Sequence, residues 1–191
     1  MGRRAMWRLL VGTWFLLLAI ARADEPPSFE PFEVRSVNGR FLAKVTADPA
    51  PASTPPHLKK FSLAVYQLDP RAGSRRKLWR CDYAYSGYPG GLVSDDGRAF
   101  AYVDVWFSED RPVIDFYWEG RRTASVTGRA IPFDRSRMTP TVSHQLWLVD
   151  GGATYGRSAR FEAKSRLVVT TCDGKVHYFD PLTGRPASNR D

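Results

Sequence analysis

The chain has 191 residues, 43% of them hydrophobic and 25% charged, and 28 Lys and Arg against 20 Asp and Glu give a formal net charge of +8. Such a balance excludes a disordered, collagenous or multiply membrane-spanning protein, and the length suits one ordinary domain rather than two well-cored ones. Arg3, Arg4, Arg8 and Arg22 all fall within residues 1–23, which hold no acid, so the remainder carries only +4 and its charge says little about partners.

The N-terminus reads as a secretory signal. Arg3, Arg4 and Arg8 form a basic start, Leu9 to Ile20 is an apolar stretch interrupted by Gly12 and Thr13, and Ala21-Arg22-Ala23 supplies small residues at a cut before Asp24. An apolar run of about a dozen residues is shorter than the ~20 that a spanning helix needs. The expectation is therefore an exported protein, periplasmic or secreted, with no membrane span after cleavage. Nucleic acid is not an expected partner in that compartment.

Residues 24–31 are a Pro-containing leader, expected to be extended. From Phe32 the pattern is strands. Phe32 and Val34 alternate with Glu33 and Arg35, and Asn38-Gly39 is a strong hairpin signal. Pairing across it sets Phe32 against Val45, Val34 against Ala43 and Glu33 against Lys44. Residues 48–58 contain four prolines and read as a loop. Strand patterns resume at Phe61–Leu68, Lys77–Tyr85, Leu92–Ser94, Arg98–Phe107, Pro112–Trp118 and Arg121–Val126. After an irregular stretch to Thr141 they continue at Ser143–Val149, Ser158–Ala163, Arg166–Cys172 and Lys175–Asp180. No apolar set recurs at helical spacing. The expected fold is all-β: an antiparallel meander of about a dozen strands over residues 32–184, folded as a sandwich or open barrel of blade-like hairpins, with a disordered tail at 185–191.

Val93-Ser94-Asp95-Asp96-Gly97-Arg98, and the run from Cys172-Asp173-Gly174-Lys175 through His177-Tyr178-Phe179-Asp180 to Thr183-Gly184, resemble the strand–turn–strand phrases of β-propeller blades of the quinoprotein and WD type. The resemblance covers about 20 residues and implies a partial propeller as the alternative fold, one that self-association would complete. The turn glycines 39, 97, 120 and 174 are spaced by 58, 23 and 54 residues, which is no fixed period and disfavours a single closed propeller.

Known catalytic motifs are missing: there is no nucleophile elbow, no HExxH and no phosphate-binding loop. Ser74-Arg75-Arg76-Lys77 spells SxxK but falls in an expected hairpin turn. His57, His144 and His177 have no metal-ligand spacing, and neither a metal nor another cofactor is expected. Arg98–Phe107 and Val113–Trp118 are apolar on both faces except for Asp104 and Asp115. If a four-residue loop joins these strands, the two acids face each other, and a shared proton, a cation or an arginine such as Arg80 or Arg122 must relieve the repulsion. Paired carboxylates are also what a hydrolase of envelope glycan or peptide would use.

Arg71, Arg75, Arg76, Lys77 and Arg80 form a basic cluster interleaved with Trp79 and Tyr83, fit for the phosphate, sulfate or carboxylate groups of envelope polymers. Tyr83, Tyr85 and Tyr88 are a candidate stacking platform. Cys81 and Cys172, alone and in an exported chain, are a candidate disulfide. The functional expectation is an exported binding or structural module of the cell envelope, whose ligand is an anionic envelope polymer or a protein partner. A hydrolase using Asp104 and Asp115 is the alternative.

Overall fold

A computed structural model describes residues 26–151 and 155–187, and the expected signal segment lies outside them. The chain is all-β: thirteen strands lie in four antiparallel sheets with a single short helix, and among the described residues no barrel or propeller closes.

The first sheet is a meander of β1 (Phe32–Arg35), β2 (Phe41–Ala47), β3 (Phe61–Asp69) and β4 (Ser74–Tyr83), each paired with the next. Its first hairpin has the register that the Asn-Gly turn predicts, with Phe32 opposite Val45 and Val34 opposite Ala43. Glu33 opposes Lys44, and the two form an ion pair at 2.8 Å. The alternation continues across the sheet. Phe32, Val45, Leu63 and Cys81 form one row of the core face, while Arg35, Leu42, Tyr66 and Lys77 form a row of the outer face.

The second sheet is again a meander, of β5 (Leu92–Val93), β6 (Ala99–Val103), β7 (Pro112–Trp118) and β8 (Arg121–Thr127). Its two central strands are buried on both faces. Phe100, Tyr102 and Tyr117 pack with Phe41, Val45, Leu63, Val65 and Tyr83 of the first sheet. Ala101, Val103, Ile114, Phe116 and Val126 pack on the other side with Trp147, Leu148, Leu167, Val169 and Phe179. The near-continuous apolar wording of β6 and β7 thus marks the middle layer of a three-layer stack.

The third layer joins β11 (Ala159–Phe161), β12 (Leu167–Thr170) and β13 (Val176–Phe179), preceded by the one-turn helix α1 (Tyr155–Ser158). A small hairpin of β9 (Thr139–Pro140) and β10 (Gln145–Leu146) connects the layers. Leu146 bridges to Trp106 at the exit of the second sheet, and Leu148 bridges to Thr171 in the third. Described residues near both ends of the chain make backbone contacts with the sheets. Ser28 and Phe29 donate their backbone N–H groups to the Gly87 carbonyl, and Phe29 packs on the core beside Tyr85. At the other end Pro186 bridges to Phe179, so the expected tail begins as an added rung of the third sheet.

One turn occurs three times. Ser36-x-Asn38-Gly39-Arg40, Ser94-x-Asp96-Gly97-Arg98 and Thr171-x-Asp173-Gly174-Lys175 lead into β2, β6 and β13. In each, the hydroxyl donates to the Asn or Asp side chain (2.8, 2.6 and 2.6 Å), and that same side chain accepts the N–H of the following basic residue. Glycine takes the position where φ is +69°, +72° and +82°, a conformation that a Cβ opposes. The first two turns are tied together: Asn38 donates its backbone N–H to the Asp95 carboxylate at 2.9 Å and its side-chain amide to the Asp95 carbonyl at 2.8 Å.

Candidate functional site

Asp104 and Asp115 do not oppose each other. β6 ends at Val103, and Tyr102 is the residue across from Asp115, two positions from the expected register. The Asp104 N–H still bonds the Val113 carbonyl at 2.8 Å, but the chain then leaves the sheet. The connection is longer than a four-residue loop because Trp106 pairs with Leu146 and Phe107 donates to the Gln145 carbonyl. Asp115 is buried and accepts from Arg122 and from the Ser125 hydroxyl, both at 2.6 Å. Its charge is therefore relieved by an arginine, one of the partners that the sequence offered.

Asp104 is different. Burial pushes its pKa up to about 6, against the opposing pull of the Trp106 N–H at 3.0 Å and the nearby His144, while the Asp115 charge adds to the rise. His144 stacks on Trp106 with ring centroids 4.5 Å apart. The Trp106 indole N–H is buried and has no hydrogen-bond partner among the described residues. Asp104 thus suits a proton carrier, but its neighbouring acid is committed to structure.

The expected aromatic platform is dismantled by the fold. Tyr83 lies in the core between the first two sheets, in ring contact with Phe32, Phe100 and Tyr117. Tyr85 packs edge-on against Phe61 at 4.7 Å, and its hydroxyl donates to the Glu30 carbonyl. Tyr88 is set apart, against Trp106. Trp79 packs against the core and donates its indole N–H to the Gly97 carbonyl at 2.7 Å, fastening the second repeated turn to β4. Arg80 lies over the outer face, bonded to Ser62 at 2.7 Å and paired with Asp48 at 3.1 Å.

The two cysteines are free thiols rather than a disulfide. Cys81 packs against the core between the first and second sheets, and Cys172 against the core between the second and third, so the middle layer separates them. Burial pushes the Cys81 thiol up to about 11 and raises Cys172 as well, which leaves both protonated and unreactive near neutrality.

What survives of the basic cluster is its tip, and the fold enlarges it. In a meander the β1–β2 and β3–β4 turns lie at the same end, which brings Arg35 and Arg40 beside Arg71, Arg75, Arg76 and Lys77. All six side chains are exposed, and none of them forms an ion pair among the described residues. Arg75 lies over the Tyr66 ring at 5.2 Å, and the Gln67 side chain holds Arg76 at 2.7 Å. The Asp69 carboxylate turns inward to accept the N–H groups of Arg71 and Ala72, at 2.9 and 3.1 Å. Two clefts open here. One, of about 380 Å³, is lined by Arg40, Gln67, Leu68, Asp69, Pro70, Ser74 and Arg76. The other, of about 230 Å³, is lined by Arg35, Gly39, Gly73 and the same Leu68, Asp69, Pro70 and Ser74.

Sequence reading missed Arg35 and Arg40 because they are remote in the chain, although the rule that alternate meander turns share an end would have found them. Among the described residues no three His, Cys, Asp or Glu side chains could hold a metal ion. No protein-family model matches the chain, and no curated protein matches it.

Proposed function

We propose that this protein is an exported, non-catalytic binding module of the cell envelope that takes anionic ligands at the basic end of its first sheet. The observation that carries this reading is a basic sheet end whose six exposed cations form no ion pair among the described residues, three of them, Arg35, Arg40 and Arg76, lining two adjoining clefts. Unpaired guanidinium groups repel one another, and an anion that neutralises them gains charge-assisted, bidentate hydrogen bonds. The basic start and apolar run of residues 3–20 support export.

Retention on a sulfated matrix at low salt tests the proposal. Arg40→Gln with Arg76→Gln should lower the salt needed for elution. Arg121→Gln with Arg137→Gln, which removes the same charge elsewhere, should leave it nearly unchanged. Equal loss in both pairs would reduce the effect to net charge and refute the site. A mature N-terminus other than Asp24 in exported material would refute the assigned cleavage. A hydrolase reading has one observation in its favour, the raised Asp104. It ranks second because Asp115, its necessary partner, is held by Arg122 and Ser125.

A further inference from the structure

The two clefts adjoin. Leu68, Asp69, Pro70 and Ser74 line both, so one wall separates them, and each has its own cations: Arg40 and Arg76 on one side, Arg35 on the other. A lone phosphate or sulfate would use only half of this arrangement. The shared wall carries a carboxylate held by its own turn, and this places a negative charge between the two basic positions. A ligand whose charges run without a break would be repelled there, whereas a neutral stretch that can hydrogen-bond to the Ser74 hydroxyl would not. A membrane surface presents its anionic headgroups as an unbroken array, so the Asp69 carboxylate that lines both clefts opposes it as it opposes any continuous run of charge.

Resting on the anion-binding reading above, we infer that the paired clefts bind two successive anionic groups of one soluble polymer, spaced by a neutral, hydroxyl-bearing unit such as a sugar. Arg40 and Arg76 hold one group, and Arg35 holds the next. Glu33 sits near Arg35 and Arg75, but its own pKa is lowered first by the hydrogen bond from Lys44, so it is engaged there rather than filling the cleft.

Linking two weak contacts in one ligand raises affinity by about 10²–10⁴ over either alone. Titration calorimetry of the whole chain with a sulfated dextran oligomer, inorganic sulfate, inorganic polyphosphate and phosphatidylglycerol vesicles tests the inference. Wild type should bind the oligomer at least ~100-fold more tightly than inorganic sulfate. Arg35→Gln should lose most of that ~100-fold advantage for the oligomer while keeping the sulfate contact at Arg40 and Arg76. Asp69→Asn, whose amide oxygen can still cap the turn, should strengthen polyphosphate more than the oligomer.

Equal affinity for oligomer and single sulfate overturns the two-group reading, as does an Arg35→Gln variant that binds the oligomer normally. Vesicle binding tighter than oligomer binding overturns the choice of a soluble polymer. Failure of wild type to bind any of the four at low salt would instead sink the anion-binding function itself.

Discussion

Neutralising Asp104 and Asp115 one at a time should move stability in opposite directions. The folded state raises the Asp104 pKa from its ordinary 3.8 to about 6, chiefly by burial. Between those values the folded protein holds a proton that the unfolded chain releases. The contribution of Asp104 to stability is thus greatest below about 4, falls as pH rises through the window, and levels off above about 6. Each pKa unit is worth ~1.4 kcal/mol, so the ionised side chain costs on the order of 2–3 kcal/mol at neutral pH. Asp104→Asn removes that cost, and its amide oxygen still accepts the Trp106 N–H. The variant should therefore be more stable than wild type at pH 7, by up to about 2 kcal/mol, and should lack the fall in stability that Asp104 gives wild type between pH 4 and 6. Asp115→Asn leaves the Arg122 guanidinium without its carboxylate. Because that arginine is nearly half exposed, the loss is nearer 1–2 kcal/mol than the larger figure for a fully buried pair. Urea denaturation of the three proteins across pH 4–7.5 measures both effects. An Asp104→Asn variant less stable than wild type at pH 7, or one that keeps the wild-type slope, would refute the argument from burial.

The repeated turns make a second comparison. At Gly174 an added Cβ meets nothing within 4 Å, so Gly174→Ala should cost only the ~1–2 kcal/mol of its left-handed backbone. At Gly97 the same atom would sit 2.4 Å from the Phe41 ring, and thermal melts should rank Gly97→Ala well below Gly174→Ala. Trp147 is fully buried and its indole N–H reaches the Asp104 carbonyl at 2.7 Å, so Trp147→Ala should destabilise by about 3–5 kcal/mol in chemical denaturation. Both cysteines should be alkylated in denaturant without reductant, giving an intact mass with two added groups. A mass two protons lighter that resists alkylation would refute the separation of Cys81 from Cys172 by the middle sheet.

Local chemistry was legible in the sequence wherever partners are close along the chain. Asn38-Gly39 fixed the β1–β2 register because a tight turn and an alternating pattern leave little freedom. The doubly apolar wording of β6 and β7 marked a buried pair of strands. Their register was read two positions out because β6 stops at Val103, and it stops there because Trp106 finds its partner in Leu146, forty residues later. No local pattern announces such a bridge. The aromatic platform failed for a related reason. Tyr83 alternates with exposed Asp82 and faces inward opposite Phe61, a pairing set by the far end of β3. The threefold turn was present in the sequence, but its glycines 39, 97 and 174 stand 58 and 77 residues apart, so a search for a fixed period does not find it. Requiring Ser or Thr three residues before the glycine and Asn or Asp directly before it separates the repeat from the β7–β8 turn, where Tyr117 and Glu119 stand in those places.

The middle sheet has no face of its own to give to water. Losing either outer sheet would uncover Phe100, Tyr102 and Tyr117 on one side or Ile114, Phe116 and Val126 on the other. The two outer sheets are therefore thermodynamically linked although they share little surface: damage to the core around Leu63 lowers the protection of the core around Leu167. Amide exchange should report this as one cooperative unit spanning all three layers, with β6 and β7 the last amides to open.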